Sequence, residues 1–140
     1  MSDRSSVQQP LRALIVDDDL DSIILLTTLL ELYGIDVTSA LSAAQAVQQV
    51  RSIPDILISD LAMPHMDGYD LIRSVRALPP DQGGMVPAIA LSAWVVTEAH
   101  AQAIEAGFQS FVAKPYRPDE LVAMISRLTG WSAIELGVAA

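Results

Sequence analysis

The amino-acid sequence predicts an α/β protein, a (βα)5 doubly wound fold around a five-stranded parallel sheet. Two observations lead there. Five short, largely apolar runs recur along the 140 residues, and stretches of helical period separate them, so strand and helix alternate. Acidic, hydroxyl and lysine side chains then follow the ends of four of the runs, which is where function collects in such sheets.

The opening MSDRSSVQQP is polar and reads as a flexible lead-in over residues 1–10. RALIV at 12–16 is the first predicted strand, apolar enough to be covered on both faces. In DSIILLTTLLELYG, Ile23, Leu26, Leu30 and Tyr33 follow helical spacing, Asp19 stands at the cap position and Gly34 is a natural stop. DVTSA at 36–40 is the second strand. LSAAQAVQQVRS follows, with Ser42 and Gln45 spaced as a capping box and Ala46, Val47 and Val50 as the inward stripe.

DILIS at 55–59 is the third strand, with Asp60 placed just after it. A third helix is predicted over YDLIRSVRAL, ending before Pro79, and the Gly-rich PPDQGGMVP leads into a fourth strand, AIALS at 88–92. Thr97 suggests the cap of a helix that ends at Gly107, and SFVA at 110–113 is the fifth strand. Pro118 suits the first turn of a last helix, with Leu121, Val122, Ile125 and Leu128 inward. One domain over 11–129 is expected, leaving 130–140, GWSAIELGVAA, as a C-terminal segment of unassigned role.

Composition removes several classes of function. Seventeen acids against eight bases give a formal net charge of −9, unfavourable for neutralising phosphates, so no nucleic-acid partner is expected. With no cysteine, thiolate metal sites, disulfides and Cys nucleophiles are excluded. No apolar run reaches the roughly eighteen residues of a membrane span, and the start lacks a signal pattern, so a cytoplasmic protein without a membrane partner is expected. His65 and His100 are the only imidazoles. A lone His65 in a loop has no second ligand and reads as a bystander, and His100 reads as a helix-surface residue. Met63, Met66 and Met85 read as packing or loop residues rather than a redox device.

LIVDDDL, at 14–20, raises the chemical question: why should an apolar strand break into consecutive carboxylates that repel one another? In a doubly wound sheet the first and third strands are neighbours, so Asp17, Asp18 and Asp60 converge at one edge. Three hard oxygen donors suit Mg²⁺, which retains waters and leaves room for a phosphoryl oxygen. Ser92 offers a hydroxyl and Ala93 a backbone N–H at the same edge, and Lys114 supplies a compact cation. Taken singly, each has an ordinary reading as a turn, cap or surface residue; their coincidence at four strand ends does not.

With LIVDDD, DILISDLAMPHMDGYDL, PAIALSA and FVAKP, the chain resembles the receiver domain of two-component response regulators, from about Leu11 to Leu128. That resemblance implies the flavodoxin-like receiver fold. It further implies Asp60 as phosphoacceptor, and Asp17, Asp18, Asp60 and the backbone carbonyl of Ala62 as ligands of Mg²⁺ or Mn²⁺. Ser92, Lys114 and the backbone of Ala93 would contact the phosphoryl group, and Lys114–Pro115 would be cis. Ser92 and Phe111 would form a switch, although Phe111 stands where many members carry Tyr, which puts any role of a phenolic hydroxyl in doubt. Trp94 is unusually bulky for its place, and is expected to flank the site and slow loss of phosphate.

The implied partners are a sensor histidine kinase or histidine phosphotransfer protein and an unidentified output partner, with the domain a monomer or a phosphorylation-dependent homodimer. It would act as a phosphoacceptor signalling domain rather than an enzyme, its only catalysis being that of its own phosphorylation and dephosphorylation. Its rivals are a receiver module of a hybrid sensor kinase, a Mg²⁺-dependent aspartate-nucleophile phosphatase, and an interaction module that ignores phosphorylation. A phosphatase would want a second acid two residues beyond Asp60, where Ala62 stands.

Overall fold

The computed structural model describes residues 10–63, 65–93 and 97–132. Five parallel strands, β1 (Arg12–Val16), β2 (Asp36–Ala40), β3 (Ile56–Asp60), β4 (Ala88–Ser92) and β5 (Ser110–Ala113), line up in the order β2-β1-β3-β4-β5. The predicted (βα)5 sheet is therefore the observed one, and β1, β2, β4 and β5 have the predicted bounds. β3 is shifted by one residue. Asp60 is the last residue of that strand rather than the first beyond it, paired with Leu91 of β4. The N–H of Leu61 still donates to the carbonyl of Leu91 at 3.0 Å, so the ladder carries the acid to the edge before it ends.

Five α-helices join the strands: α1 (Leu20–Leu32), α2 (Ala43–Gln49), α3 (Gly68–Arg76), α4 (Thr97–Ala106) and α5 (Pro118–Thr129). Short 3-10 turns over Val50–Ser52 and Pro80–Gln82 were not foreseen. Local chemistry explains the starts. Asp19 caps α1, its carboxylate accepting the N–H of Asp21. Ser42 caps α2 through the N–H of Gln45, but the Gln45 side chain reaches back one residue further than a capping box requires, to the N–H of Leu41 at 3.0 Å. α3 has the complete reciprocal box, Asp67 with Asp70. Thr97 is the first residue of α4 rather than its cap.

Each sheet face buries its own core. α2, α3 and α4 cover one, with Ala46, Leu71, Ile72, Val75 and Ala103 packed on Leu14, Leu57, Ala88 and Ala90. α1 and α5 cover the other, with Ile23, Leu26, Leu30, Leu121 and Ile125 on Ile15, Ile58 and Ile89. Trp131, just beyond α5, is buried in this second core beside Leu11 and Ile35.

At the amino edge of the sheet the half-buried Arg76 ties three segments together. Its guanidinium donates to the carbonyls of Gly107 and Gly84, each at 3.0 Å, and to Oε1 of Gln109 at 2.9 Å. The same Oε1 accepts the N–H of Ala88, where β4 begins. Burial of so long a cation is tolerated because the guanidinium is met by oxygen acceptors.

Candidate functional site

At the carboxyl edge the ends of β1 and β3 bring three acids together. Carboxylate oxygens of Asp17, Asp18 and Asp60 lie within 4.8 Å of one another, with Asp17 and Asp60 buried and Asp18 exposed. Asp17 is fixed from two sides. One oxygen accepts the N–H of Asp19 at 3.0 Å, and the other faces Lys114 Nζ at 3.3 Å. From the loop after β5, Lys114 also reaches Oδ1 of Asp60 at 3.6 Å, so one ammonium spans two carboxylates. The Lys114–Pro115 bond is cis, as the resemblance implied.

Electrostatics follow from this packing. Burial is the main cause that pushes the Asp60 pKa above the ordinary carboxylate value, and the charge of Asp17 adds to it. Lys114 and the N–H of Ala62 oppose the shift without cancelling it. For Lys114 burial disfavours the charged form, but the carboxylates of Asp60 and Asp17 outweigh it and the ammonium pKa is raised. Three hard oxygens, one of them exposed, beside a cation that already compensates two of them, fit a small divalent cation better than a bare structural ion pair.

Ser92, the buried last residue of β4, stands two strands from Asp17 and one from Asp60. The backbone carbonyl of Ser92 accepts the N–H of Lys114 at 2.8 Å, which fixes the lysine's origin. Ala93 follows and is exposed. Phe111 lies inside β5, half-buried. Ala62 follows β3 with its N–H toward Asp60. Trp94 lies outside the described residues.

Two further features lie nearby. A cavity of about 480 Å³ opens beside Asp17 and Lys114, walled by Leu25, Leu26, Leu29, Leu91, Tyr116 and Pro118. Leu25 and Leu29 follow helical spacing, but nothing in the sequence says that their face borders the acids. His100 also acquires a partner, described below, that its sequence context does not indicate.

Residues 13–126 match the family model of the response regulator receiver domain. The chain belongs to that family. Receivers accept a phosphoryl group in two-component signalling, and this receiver has that signalling role. Its relatives include an uncharacterized 14.6 kDa protein of Leptolyngbya boryana, 43% identical and matched over 81% of this chain and 86% of that one. The transcriptional regulatory protein PrrA of Mycobacterium leprae is 34% identical over 84% of this receiver, which spans only 49% of PrrA, about half its length. Among solved structures, one described as a "putative response regulator" from Chloroflexus aurantiacus superposes with a TM-score of 0.81 at 35% identity, covering 88% of this chain and all of that one. The receiver of a Pseudomonas aeruginosa sensor histidine kinase, solved with magnesium in its active-site cleft, superposes with a TM-score of 0.79 at 28% identity, covering 88% and 100%. Among the described residues no helix is long and apolar enough to cross a membrane.

Proposed function

We propose that Asp60 is the phosphoacceptor, taking a phosphoryl group from a phosphohistidine of a sensor histidine kinase or histidine phosphotransfer protein in the cytoplasm. The observation that carries this reading is the position of Lys114 Nζ, shared between Asp17 and Asp60 at the edge where the three acids meet. A carboxylate oxygen of Asp60 attacks phosphorus in line with the histidine. The P–N bond breaks, its electron pair stays on the imidazole nitrogen, and a P–O bond to Asp60 forms. No general base is needed once Asp60 is ionised.

The residues divide the remaining work. Lys114, already oriented by Asp17, neutralises a phosphoryl oxygen, and Ser92 and the N–H of Ala93 hydrogen-bond the others. Asp17, Asp18, Asp60 and the carbonyl of Ala62 would hold Mg²⁺ or Mn²⁺, which when bound supplies the charge neutralisation that lets an anionic donor approach an acidic edge. The apolar cavity beside Lys114, with Leu25 exposed on α1, gives the partner an apolar seat next to the reacting atoms. With Ala62 where a hydrolytic phosphatase would carry its second acid, loss of the phosphoryl group from Asp60 is expected to be slow.

Incubation with acetyl phosphate and Mg²⁺, followed by intact mass, tests the proposal. A single added phosphate, base-labile and absent from Asp60→Asn, is the expected result. Equal phosphate on Asp60→Asn would refute it.

A further inference from the structure

Among the described residues one aromatic pair is stacked, His100 of α4 on Phe111 of β5, with ring centroids 4.9 Å apart and planes inclined by 7°. Phe111 is paired with Ala90 of β4, and Ala113 with Ser92. Residues paired in register on parallel strands point to the same face, and alternation places Ser92 on that face too. The Phe111 ring, the small Ala90 side chain and the Ser92 side chain therefore share one face, and Ser92 ends its strand at the carboxyl edge, one strand from the end of β3 at Asp60. In the switch that the family resemblance implies for Ser92 and Phe111, Ser92 moves toward a phosphoryl group on Asp60, and Phe111 is the ring placed to enter the room this opens over Ala90.

That ring is half-buried, and exposed His100 lies against it. One helical turn on, Ala103 is fully buried in the same core, so the packing of α4 itself holds the imidazole over the ring. We propose that His100 is a positioning residue for the phosphorylation response: its imidazole clamps Phe111 at the α4–β5 surface and opposes the inward movement of the ring that follows Ser92. The clamp rests on Asp60 being the phosphoacceptor. It does no chemistry; it sets the balance between two arrangements of one face, and a stacked aromatic pair biases such a balance by roughly two- to tenfold.

Two measurements on the full chain test it. In proton NMR of the unphosphorylated protein, the His100 ring protons are expected upfield of their usual position because of Phe111, and Phe111→Leu is expected to abolish that displacement. With acetyl phosphate and Mg²⁺, His100→Ala is expected to take up phosphate roughly two- to tenfold faster than wild type, and His100→Phe, which restores a stacked ring, to return to the wild-type rate. Should His100→Ala fail to fold, a His100→Phe protein phosphorylating at the wild-type rate while Phe111→Leu is accelerated supports the clamp. Identical rates for wild type, His100→Ala and Phe111→Leu would overturn it while leaving Asp60 as acceptor. Absence of phosphate on wild-type Asp60 would remove both.

Discussion

Gly68→Ala is expected to damage the site without touching any of its charged groups. Gly68 opens α3, and its N–H donates to the carbonyl of Leu61 at 3.0 Å, closing the loop that follows β3. A Cβ there would lie 2.5 Å from the carbonyl oxygen of Asp60, 2.8 Å from Cα of Leu61 and 3.0 Å from a Leu61 methyl. Ordinary carbon–oxygen contact begins near 3.4 Å, so α3 and the end of β3 must separate by close to 1 Å. Two of the three obstacles are backbone, which cannot swing aside as a flexible side chain would. Overpacking of this kind costs about 1–3 kcal/mol, and about 2 kcal/mol corresponds to a fall in Tm of roughly 6–10 °C for a domain of this size.

The functional loss is expected to be larger than the stability loss. Lys114 Nζ is already 3.6 Å from Oδ1 of Asp60, near the limit of an ion pair, so the displacement separates them. Misplacement by about 1 Å can reduce a rate by about a hundredfold, and phosphorylation by acetyl phosphate is expected to slow by roughly ten- to a hundredfold. Gly130→Ala is the control. Gly130 has φ +79° and nothing within 4 Å of the new Cβ, so it bears only the left-handed backbone cost of about 1–2 kcal/mol, far from the acids. Urea denaturation and intact mass over a time course read both effects. A Gly68→Ala protein with wild-type stability and a phosphorylation rate within about twofold of wild type would refute the reasoning.

Millimolar Mg²⁺ is expected to raise Tm as ligand mass action requires, and Asp18→Asn to diminish the gain, because Asp18 brings the third carboxylate; a thermal-shift titration reads both. In the metal-free protein, folded Asp60 holds its proton more tightly than the unfolded chain does, so its contribution to stability is fully present below the ordinary carboxylate pKa and is lost as pH rises through the raised folded value. Asp60→Asn is therefore expected to be more stable than wild type at neutral pH, with the difference shrinking on acidification; a lower Tm at neutral pH would contradict this. Trp131→Ala is expected to cost about 3–5 kcal/mol in urea denaturation, because the ring is only 6% exposed and packs in the α1–α5 core.

Much of this was legible in the sequence because local and global signals agree. ALIV in β1 and AIAL in β4 are apolar throughout, as doubly covered strands must be, and the caps Asp19 and Ser42 sit where hydrogen bonds were foreseen. Asp17, Asp18, Asp60, Ser92 and Lys114 are legible as one group because strand order alone brings their strand ends together. The end of β3 was misjudged by a residue because an acid looks like a strand breaker, whereas Asp60 keeps its backbone pairing and turns its charge toward Lys114. Trp131 was missed because it stands alone beyond α5, outside any periodic pattern. His100 was correctly read as exposed, but its stack on Phe111 joins two elements through tertiary packing, which helical spacing does not encode.

The bonds around Arg76 give β4 a fulcrum. Gln109, held by Arg76, grips the strand at Ala88, whereas Ser92 lies at the other end, about 13 Å away at the usual rise per residue. Paired in register with β3 and β5 and tied at Ala88, the strand resists sliding, and a displacement of about 1 Å at Ser92 would turn it by roughly 4° about that tie. The end of α4 is anchored at the same place, because Arg76 also holds the carbonyl of Gly107. The first turn of α4 is tied to α3 by the hydroxyl of Tyr69 on the carbonyl of Ala99 at 3.4 Å, so a displacement that begins at the carboxyl edge would be expressed there while the opposite edge stays tied.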